Sequence, residues 1–252
     1  MKLAIVTDST AFLPEEIKNH PDLYIIPIPV ILDGKLYNEG IDIESDEYYE
    51  LLKNSKEFPT TSQPSLGETL ELYEKLGKQG YDTIISIHLS SGISGFIENL
   101  YGITDSINSV KVIPYDSKIT STPMGHMVIE ALRLAEDGAS VETIIQKLDF
   151  IRDSLHVYFI VEDLNNLARG GRLTNGAALV AGLLKIKPVL RFEEGKIVLF
   201  EKIRSSKKAF ARIEDVIGQH IETMEAPLKL TIIHGNNLAV ALQEKAKIEA
   251  KY

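Results

Sequence analysis

The stretch TIISIHLSSGISGFIENLYGITDSI, residues 83–107, contains a complete strand–loop–helix unit. Its first part, Thr83–Ile87, is a nearly continuous apolar run, which predicts a strand buried on both faces, as in a parallel sheet. The segment Ile97–Ile107 is predicted to be a helix. Between the two, HLSSGISGF carries three serines and two glycines. A strand-to-helix turn needs only one capping residue and one glycine, so this loop has more hydroxyl groups and more glycines than the turn requires.

The same alternation of apolar runs and helical patterns extends over the first part of the chain. The predicted strands are Leu3–Thr7, Tyr24–Leu32, Thr83–Ile87 and Lys111–Tyr115. The predicted helices are Glu15–Asn19, Ser45–Lys53, Leu66–Lys78, Ile97–Ile107 and Met127–Glu136. This order predicts an α/β domain over residues 1–158, built on a mostly parallel sheet flanked by helices.

Residues 159–252 are predicted to form a second, smaller α/β domain with a mixed sheet, and the boundary is expected near residues 155–165. Its predicted strands are Val157–Glu162, Lys187–Phe192, Lys196–Ile203 and Leu228–Ile233, the middle two forming a hairpin around Glu-Glu-Gly. Its predicted helices are Asn175–Leu184, Ser205–Ile221 and Leu238–Lys251. In an α/β layer the last helix ordinarily crosses over to one more strand, so we expect that the natural protein has a further segment.

Composition excludes several classes of protein. The 252 residues include no cysteine, which removes disulfides and thiolate metal sites and favours a cytoplasmic location. No apolar run approaches the roughly 20 residues of a membrane span, and the start is typical of a strand rather than a signal peptide. A formal charge of −9 argues against a nucleic-acid-binding protein.

The charge is unevenly distributed along the chain. Between Lys185 and Arg212, nine basic residues face only three acidic ones, a local net charge of +6. A solvated basic face is the ordinary explanation of such a run, and a patch for an acidic partner or a phosphate is the alternative.

Three hydroxyl-rich loops are the candidate binding elements, namely DST (8–10), TTSQPS (60–65) and SSGISG (90–95). Each follows a predicted strand or opens a helix, where ligands bind in open α/β sheets. Helix capping explains any one of them, but Ser65 with Glu68 already forms a capping box, so Thr60, Thr61 and Ser62 are spare. Hydroxyls, free N–H groups and a helix start together suit an anion. Because the loops hold no lysine or arginine, a carboxylate is favoured over phosphate.

Known catalytic motifs do not fit. The sequence has no GxGxxG, no GxxxxGK[ST] and no HExxH, the six histidines are scattered, and GISG around Ser94 is not GxSxG. We therefore expect neither a metal nor an enzymatic activity of its own. The alternatives are a stand-alone hydrolase or transferase with Ser94 as nucleophile and His88 or His234 as base, and a lipid-sensing regulatory module.

Six motifs resemble the DegV family, in order and over essentially the whole chain. They are VTDST, FPTTSQPS, LSSGISG, VIPYDSK, NLARGGRLT and EKIR. The resemblance implies two α/β domains with a fatty acid held between them. It also implies a bacterial fatty-acid-binding subunit that presents the acyl carboxylate to a separate fatty acid kinase. That kinase forms an acyl phosphate with ATP for phospholipid synthesis. Transient membrane contact is compatible with such a role.

Carried over by motif, the resemblance places Thr61, Ser62, Ser94 and Gly95 at the fatty acid carboxylate. It assigns Arg172 and Arg204 to contact with the kinase. The chain departs from the family pattern at Phe96, where the family usually has threonine. It also stops before the family's final segment, which supplies a histidine near the carboxylate, and His234 belongs to an earlier motif.

A bound acyl chain requires an apolar tunnel, since its burial is worth about 0.8 kcal/mol per methylene. The predicted helix Asn175–Leu184 is apolar nearly all round, so we expect it to be buried on several sides. Its candidates for the tunnel wall are Ala177, Leu179, Val180 and Leu183, although plain core packing explains each of them singly.

Overall fold

The computed structural model describes residues 2–182, 186–223 and 228–252. The chain divides into two compact units. Unit 1 comprises Met1–Leu155 together with Glu194–Lys196, and unit 2 comprises His156–Glu193 and Ile197–Tyr252. The strands are β1 (Leu3–Asp8), β2 (Leu23–Ile26), β3 (Pro29–Leu32), β4 (Lys35–Asn38), β5 (Thr60–Thr61), β6 (Thr83–His88), β7 (Lys111–Asp116), β8 (Tyr158–Ile160), β9 (Val189–Glu193) and β10 (Lys196–Glu201).

Most helices begin and end close to where the sequence predicts them. They are α1 (Glu15–Lys18), α2 (Ser45–Asn54), α3 (Leu66–Lys78), α4 (Phe96–Ile103), α5 (Ser121–Glu136), α6 (Val141–Asp153), α7 (Asn165–Arg169), α8 (Gly176–Gly182), α9 (Ser206–Thr223) and α10 (Leu238–Lys251). Helix α4 is shorter than predicted because a short 3-10 helix, Thr104–Ser106, follows it. The helices α6 and α7 are absent from the sequence prediction.

Unit 1 is built on a parallel four-stranded sheet in the order β2-β1-β6-β7, which confirms the predicted fold class. Every residue of β1 and β6 is buried, as the continuous apolar runs predict. One face packs on α3 and α4 through a core that contains Tyr73, Phe96 and Leu100. The other face contacts α5, whose buried residues include Met124 and Met127.

The predicted strand Tyr24–Leu32 is wrong as a single element. It is two strands in two sheets, because Pro27 and Pro29 remove N–H donors from the middle of the run. After this break, β3 pairs antiparallel with β4 on one side and with β5 on the other, giving a separate three-stranded sheet. The β5 strand carries Thr60 and Thr61 into this sheet.

Unit 2 contains a three-stranded sheet in the order β10-β9-β8, with the α9 residue Ala209 in its core. The predicted hairpin is confirmed: Glu194 and Gly195 both have positive φ, as a type I′ turn requires. The strand predicted at Leu228–Ile233 is wrong, since this segment pairs with no strand among the described residues and is mostly exposed.

The apolar helix is less buried than its composition suggests. In α8, Ala177 is exposed and Leu179 and Val180 are not fully buried, so the expected burial on several sides is wrong for the described side chains. Small alanines explain the difference, because their exposure to water costs little. Leu183 and Lys185 lie outside the described residues. Within the described ranges, no helix has the length and apolar character to cross a membrane.

Candidate functional site

The carboxyl ends of β1, β6 and β7 meet at one edge of the parallel sheet of unit 1. In the register of the sheet Thr7 lies beside Ile87, and His88 lies beside Asp116. The loops that leave this edge therefore start side by side. Two of them are the predicted DST and SSGISG loops.

The DST and SSGISG loops are joined by a buried carboxylate. Asp8 is completely buried, and its Oδ2 accepts a hydrogen bond from Leu89 N–H at 3.0 Å. The same oxygen lies 3.0 Å from Nδ1 of His88, which is also completely buried. The end of β1 and the start of the SSGISG loop are thus fixed to each other.

The TTSQPS loop reaches the SSGISG loop through Gln63. Asn99 Nδ2 in α4 donates to Gln63 Oε1 at 2.8 Å. The Gln63 amide also lies over Gly95, so closely that a Cβ at position 95 would be 2.8 Å from Gln63 Nε2. Glycine at this position lets the two loops approach. Ser62 precedes Gln63 directly in the chain.

The β3 strand links the DST loop to the TTSQPS loop. Ile28 N–H donates to Ser9 Oγ at 2.9 Å, and Ser62 N–H donates to the Pro29 carbonyl at 3.0 Å. All three predicted loops therefore meet within unit 1. Sequence reasoning anticipates this convergence but misses the linking residues Asp8 and Gln63. The only sequence signals for these two residues are that Asp8 ends an apolar run and that Gln63 interrupts a run of hydroxyl-bearing residues.

A fourth hydroxyl-rich stretch, the loop 117–120 with the first residues of α5, leaves the same edge after β7 and is missed by sequence reasoning. Its serines and threonines begin within the VIPYDSK motif, which is the signal that could have found it. Ser117 N–H donates to the His88 carbonyl at 3.2 Å, and Ser90 N–H donates to the Ile119 carbonyl at 2.8 Å. The loop therefore supports SSGISG from the side opposite to DST.

The three serines of SSGISG have different partners. Ser90 Oγ donates to the Gly195 carbonyl of unit 1 at 2.7 Å, and Ser91 Oγ donates to Asp116 Oδ2 at 2.6 Å. Ser94 Oγ accepts from Phe96 N–H at 3.3 Å, and its own proton is donated to no acceptor among the described residues. The same holds for the Gly95 N–H. Of the three hydroxyls, only that of Ser94 is available to a ligand.

Phe96 serves the core rather than the site. It is completely buried, and its ring packs edge-to-face against His88 with the centroids 4.9 Å apart. Because the Phe96 side chain is apolar and buried, it makes no polar contact with a ligand.

Glu39 is partly buried and accepts a hydrogen bond from the DST loop. Burial raises the pKa of Glu39, and the charge of Asp8 adds to this effect, while a hydrogen bond from Ser9 Oγ at 2.6 Å opposes it.

A catalytic use of Ser94 is not supported by the geometry of His88. Both ring nitrogens of His88 have partners, Asp8 at 3.0 Å and Ser86 Oγ at 2.7 Å. Ser86, His88 and Asp8 do have the hydrogen-bond order of a catalytic triad. Ser86 is, however, completely buried and bonded to Tyr73 at 2.7 Å, so no substrate can reach it.

The two predicted arginines lie on separate elements of unit 2. Arg172 is half-buried in the turn after α7, and its guanidinium lies beside Gly170. Arg204 is exposed between β10 and α9. Among the described residues, no group of three or more His, Asp or Glu side chains could hold a metal ion.

A family model described as "Uncharacterised protein, DegV family" matches residues 2–252. The chain belongs to the DegV family. A DegV domain-containing protein of Listeria monocytogenes is 45% identical over 251 residues, which is 100% of this chain and 88% of the relative.

Solved DegV structures have the same fold. A fatty-acid-binding DegV family protein from Streptococcus agalactiae is 41% identical, with a TM-score of 0.92 over 100% of this chain and 88% of that chain. DegV of Bacillus subtilis, described as a fatty-acid-binding protein, is 39% identical, with a TM-score of 0.89 over 100% of this chain and 89% of its own. Fatty acid binding is thus a property of DegV proteins of known structure.

Proposed function

We propose that this chain binds a long-chain fatty acid and holds its carboxylate at the hydroxyl loops of unit 1. The observation that carries the proposal is the pair of open donors, Ser94 Oγ–H and Gly95 N–H, at the point where Gln63 of the TTSQPS loop contacts Gly95. These donors are neutral, which suits a single carboxylate better than a phosphate. The similar fatty-acid-binding proteins support the same ligand. We also propose Thr61 and Ser62 of the TTSQPS loop as contacts of the carboxylate, as the family resemblance implies.

Extraction of gently purified protein followed by mass spectrometry tests this proposal. A fatty acid should co-purify, and delipidated protein should bind added palmitate or oleate. Palmityl alcohol, with the same chain length and no carboxylate, is the matched control and should bind more weakly. Delipidated protein that takes up neither fatty acid would refute the proposal.

We further propose that the chain is the substrate-presenting subunit of a cytoplasmic fatty acid kinase, where ATP is available. The sequence has no phosphate-binding loop of its own, so the phosphoryl transfer belongs to a partner. Four exposed cations of unit 2 have no carboxylate within 4.0 Å among the described residues and could face an acidic, ATP-bearing surface. They are Lys202, Arg204, Lys207 and Lys208.

Arg204→Ala tests the kinase part separately from lipid binding. The variant should bind palmitate as the wild type does and should slow transfer of labelled phosphate from ATP by the kinase subunit. Arg133→Ala, which removes an exposed arginine of α5, is the control and should change neither. Loss of palmitate binding in Arg204→Ala would contradict the placement of this residue at the partner surface. The same experiment on Arg172→Ala tests the second predicted contact.

A further inference from the structure

Asp8 has no hydrogen-bonding capacity left for a ligand. Its Oδ1 accepts from Thr10 N–H at 3.1 Å and from Thr10 Oγ1 at 2.6 Å. Its Oδ2 accepts from Leu89 N–H and from His88 Nδ1, each at 3.0 Å. Four donors saturate the two carboxylate oxygens. Every one of these donors belongs to the DST loop or to the segment that leads into SSGISG.

The His88 ring is held in one orientation by a chain of buried hydroxyls. With a neutral ring, Tyr73 Oη donates to Ser86 Oγ, Ser86 donates to His88 Nε2, and His88 Nδ1–H donates to Asp8. Each proton in this chain has an acceptor. Burial raises the pKa of Tyr73, which keeps its hydroxyl a donor. The ring is therefore a fixed support under the loop.

Both ends of the SSGISG loop rest on the Asp8–His88 pair. Leu89 N–H, just before the loop, is bonded to Asp8, and the Phe96 ring, just after it, packs on His88. Between the ends, the N–H groups of Ile93 and Ser94 both donate to the Ser90 carbonyl at 3.1 Å, so the loop is one tight turn. The position of Ser94 thus follows from the position of Leu89.

The charge of a buried carboxylate close to an anion site would repel the ligand. The presence of Asp8 is therefore better explained by the hydrogen bonds that it accepts than by its charge. We propose that Asp8 is a positioning residue: it fixes the DST and SSGISG loops at the spacing that directs Ser94 and Gly95 to the ligand carboxylate. In this way it sets the preference of the site for a carboxylate over a neutral head group. This inference rests on the proposed function.

The test is the ratio of the affinities for palmitate and methyl palmitate in Asp8→Asn. The introduced amide keeps the shape of the side chain, but its NH₂ group faces one of the two pairs of donors that Asp8 accepts from. The DST and SSGISG loops should therefore move apart, so that Ser94 Oγ–H and Gly95 N–H no longer point at the ligand carboxylate. The ratio should fall about tenfold or more. The affinity for the ester should change far less, because its acyl chain contacts are unaltered.

Two controls separate positioning from loss of stability. Asp82→Asn makes the same change at the opposite edge of the sheet, where Asp82 accepts from Lys2 N–H at 2.7 Å, and should keep the wild-type ratio. Leu148→Ala removes a completely buried side chain of α6 and should lower the thermal unfolding midpoint while keeping the ratio.

The outcomes are distinct. A wild-type protein that binds neither palmitate nor oleate overturns the proposed function and this inference with it. Wild-type binding with an unchanged ratio in Asp8→Asn overturns the inference alone. If Asp8→Asn does not fold, Thr10→Val removes one hydroxyl donor at nearly constant volume. Its ratio should fall about threefold, and an unchanged ratio in that variant overturns the inference.

Discussion

Ser94→Ala removes two interactions that differ in what they stabilise. Ser94 Oγ accepts from Phe96 N–H at the start of α4, at a long 3.3 Å, so its loss should cost at most about 1 kcal/mol of unfolding free energy. The hydroxyl proton is the donor proposed for the ligand carboxylate. A hydrogen bond to a charged group contributes about 1.5–3 kcal/mol, which corresponds to a roughly 10- to 150-fold weaker Kd.

Isothermal titration with palmitate, together with thermal unfolding of the ligand-free protein, separates the two effects. Ser140→Ala is the matched control, because Ser140 Oγ caps α6 by accepting from Thr143 N–H at 3.1 Å, and α6 does not adjoin any of the three loops in sequence. Both variants should lose similar stability, and only Ser94→Ala should lose affinity. If Ser94→Ala binds palmitate within about twofold of the wild type, Ser94 is not a ligand of the carboxylate.

Three further predictions concern stability. Burial, and then the stacked His220 ring with its centroid 4.0 Å away, lowers the pKa of His156, so the unfolded chain takes up more protons. Thermal unfolding should therefore show stability falling as the pH is lowered from about 7.5 to about 5.5, and less steeply in His156→Phe. Gly125→Ala should lower the unfolding midpoint, because its Cβ would lie 2.5 Å from the Phe12 carbonyl oxygen. Gly102→Ala, whose Cβ would have no atom within 4 Å outside its neighbours and its own helix backbone, should instead add about 0.5–1 kcal/mol.

Patterns within a few residues of each other predicted most of the elements. The β6 strand follows from an apolar run, α3 follows from Ser65, whose Oγ accepts from Glu68 N–H, and the hairpin follows from the turn at Glu194 and Gly195. In each case the deciding interaction is local, so a short window of sequence contains it.

Elements whose stability depends on distant partners were predicted less well. The two-residue strand β5 exists because β3 offers an edge to it, and nothing in Thr60–Thr61 alone indicates this. Conversely, Leu228–Ile233 has a β pattern but no partner strand among the described residues. A strand is stabilised by its neighbour, and hydrophobic alternation cannot supply one.

The same difference between local and distant interactions applies to the single serines of the candidate site. Ser90, Ser91 and Ser94 are equivalent in the sequence, yet two of them are bonded to acceptors 105 and 25 residues away. The surplus hydroxyls of the loop are thus mainly structural, and the proposed contacts reduce to a few neutral donors around Ser94. A doubly charged phosphate in a comparable pocket would leave most of its oxygens without charge-assisted partners. A carboxylate has two oxygens and one charge, and a few neutral donors can satisfy it. The partners found for Ser90 and Ser91 therefore strengthen the case for a carboxylate. They leave few donors free in the loop, and a few donors satisfy a carboxylate but not a phosphate.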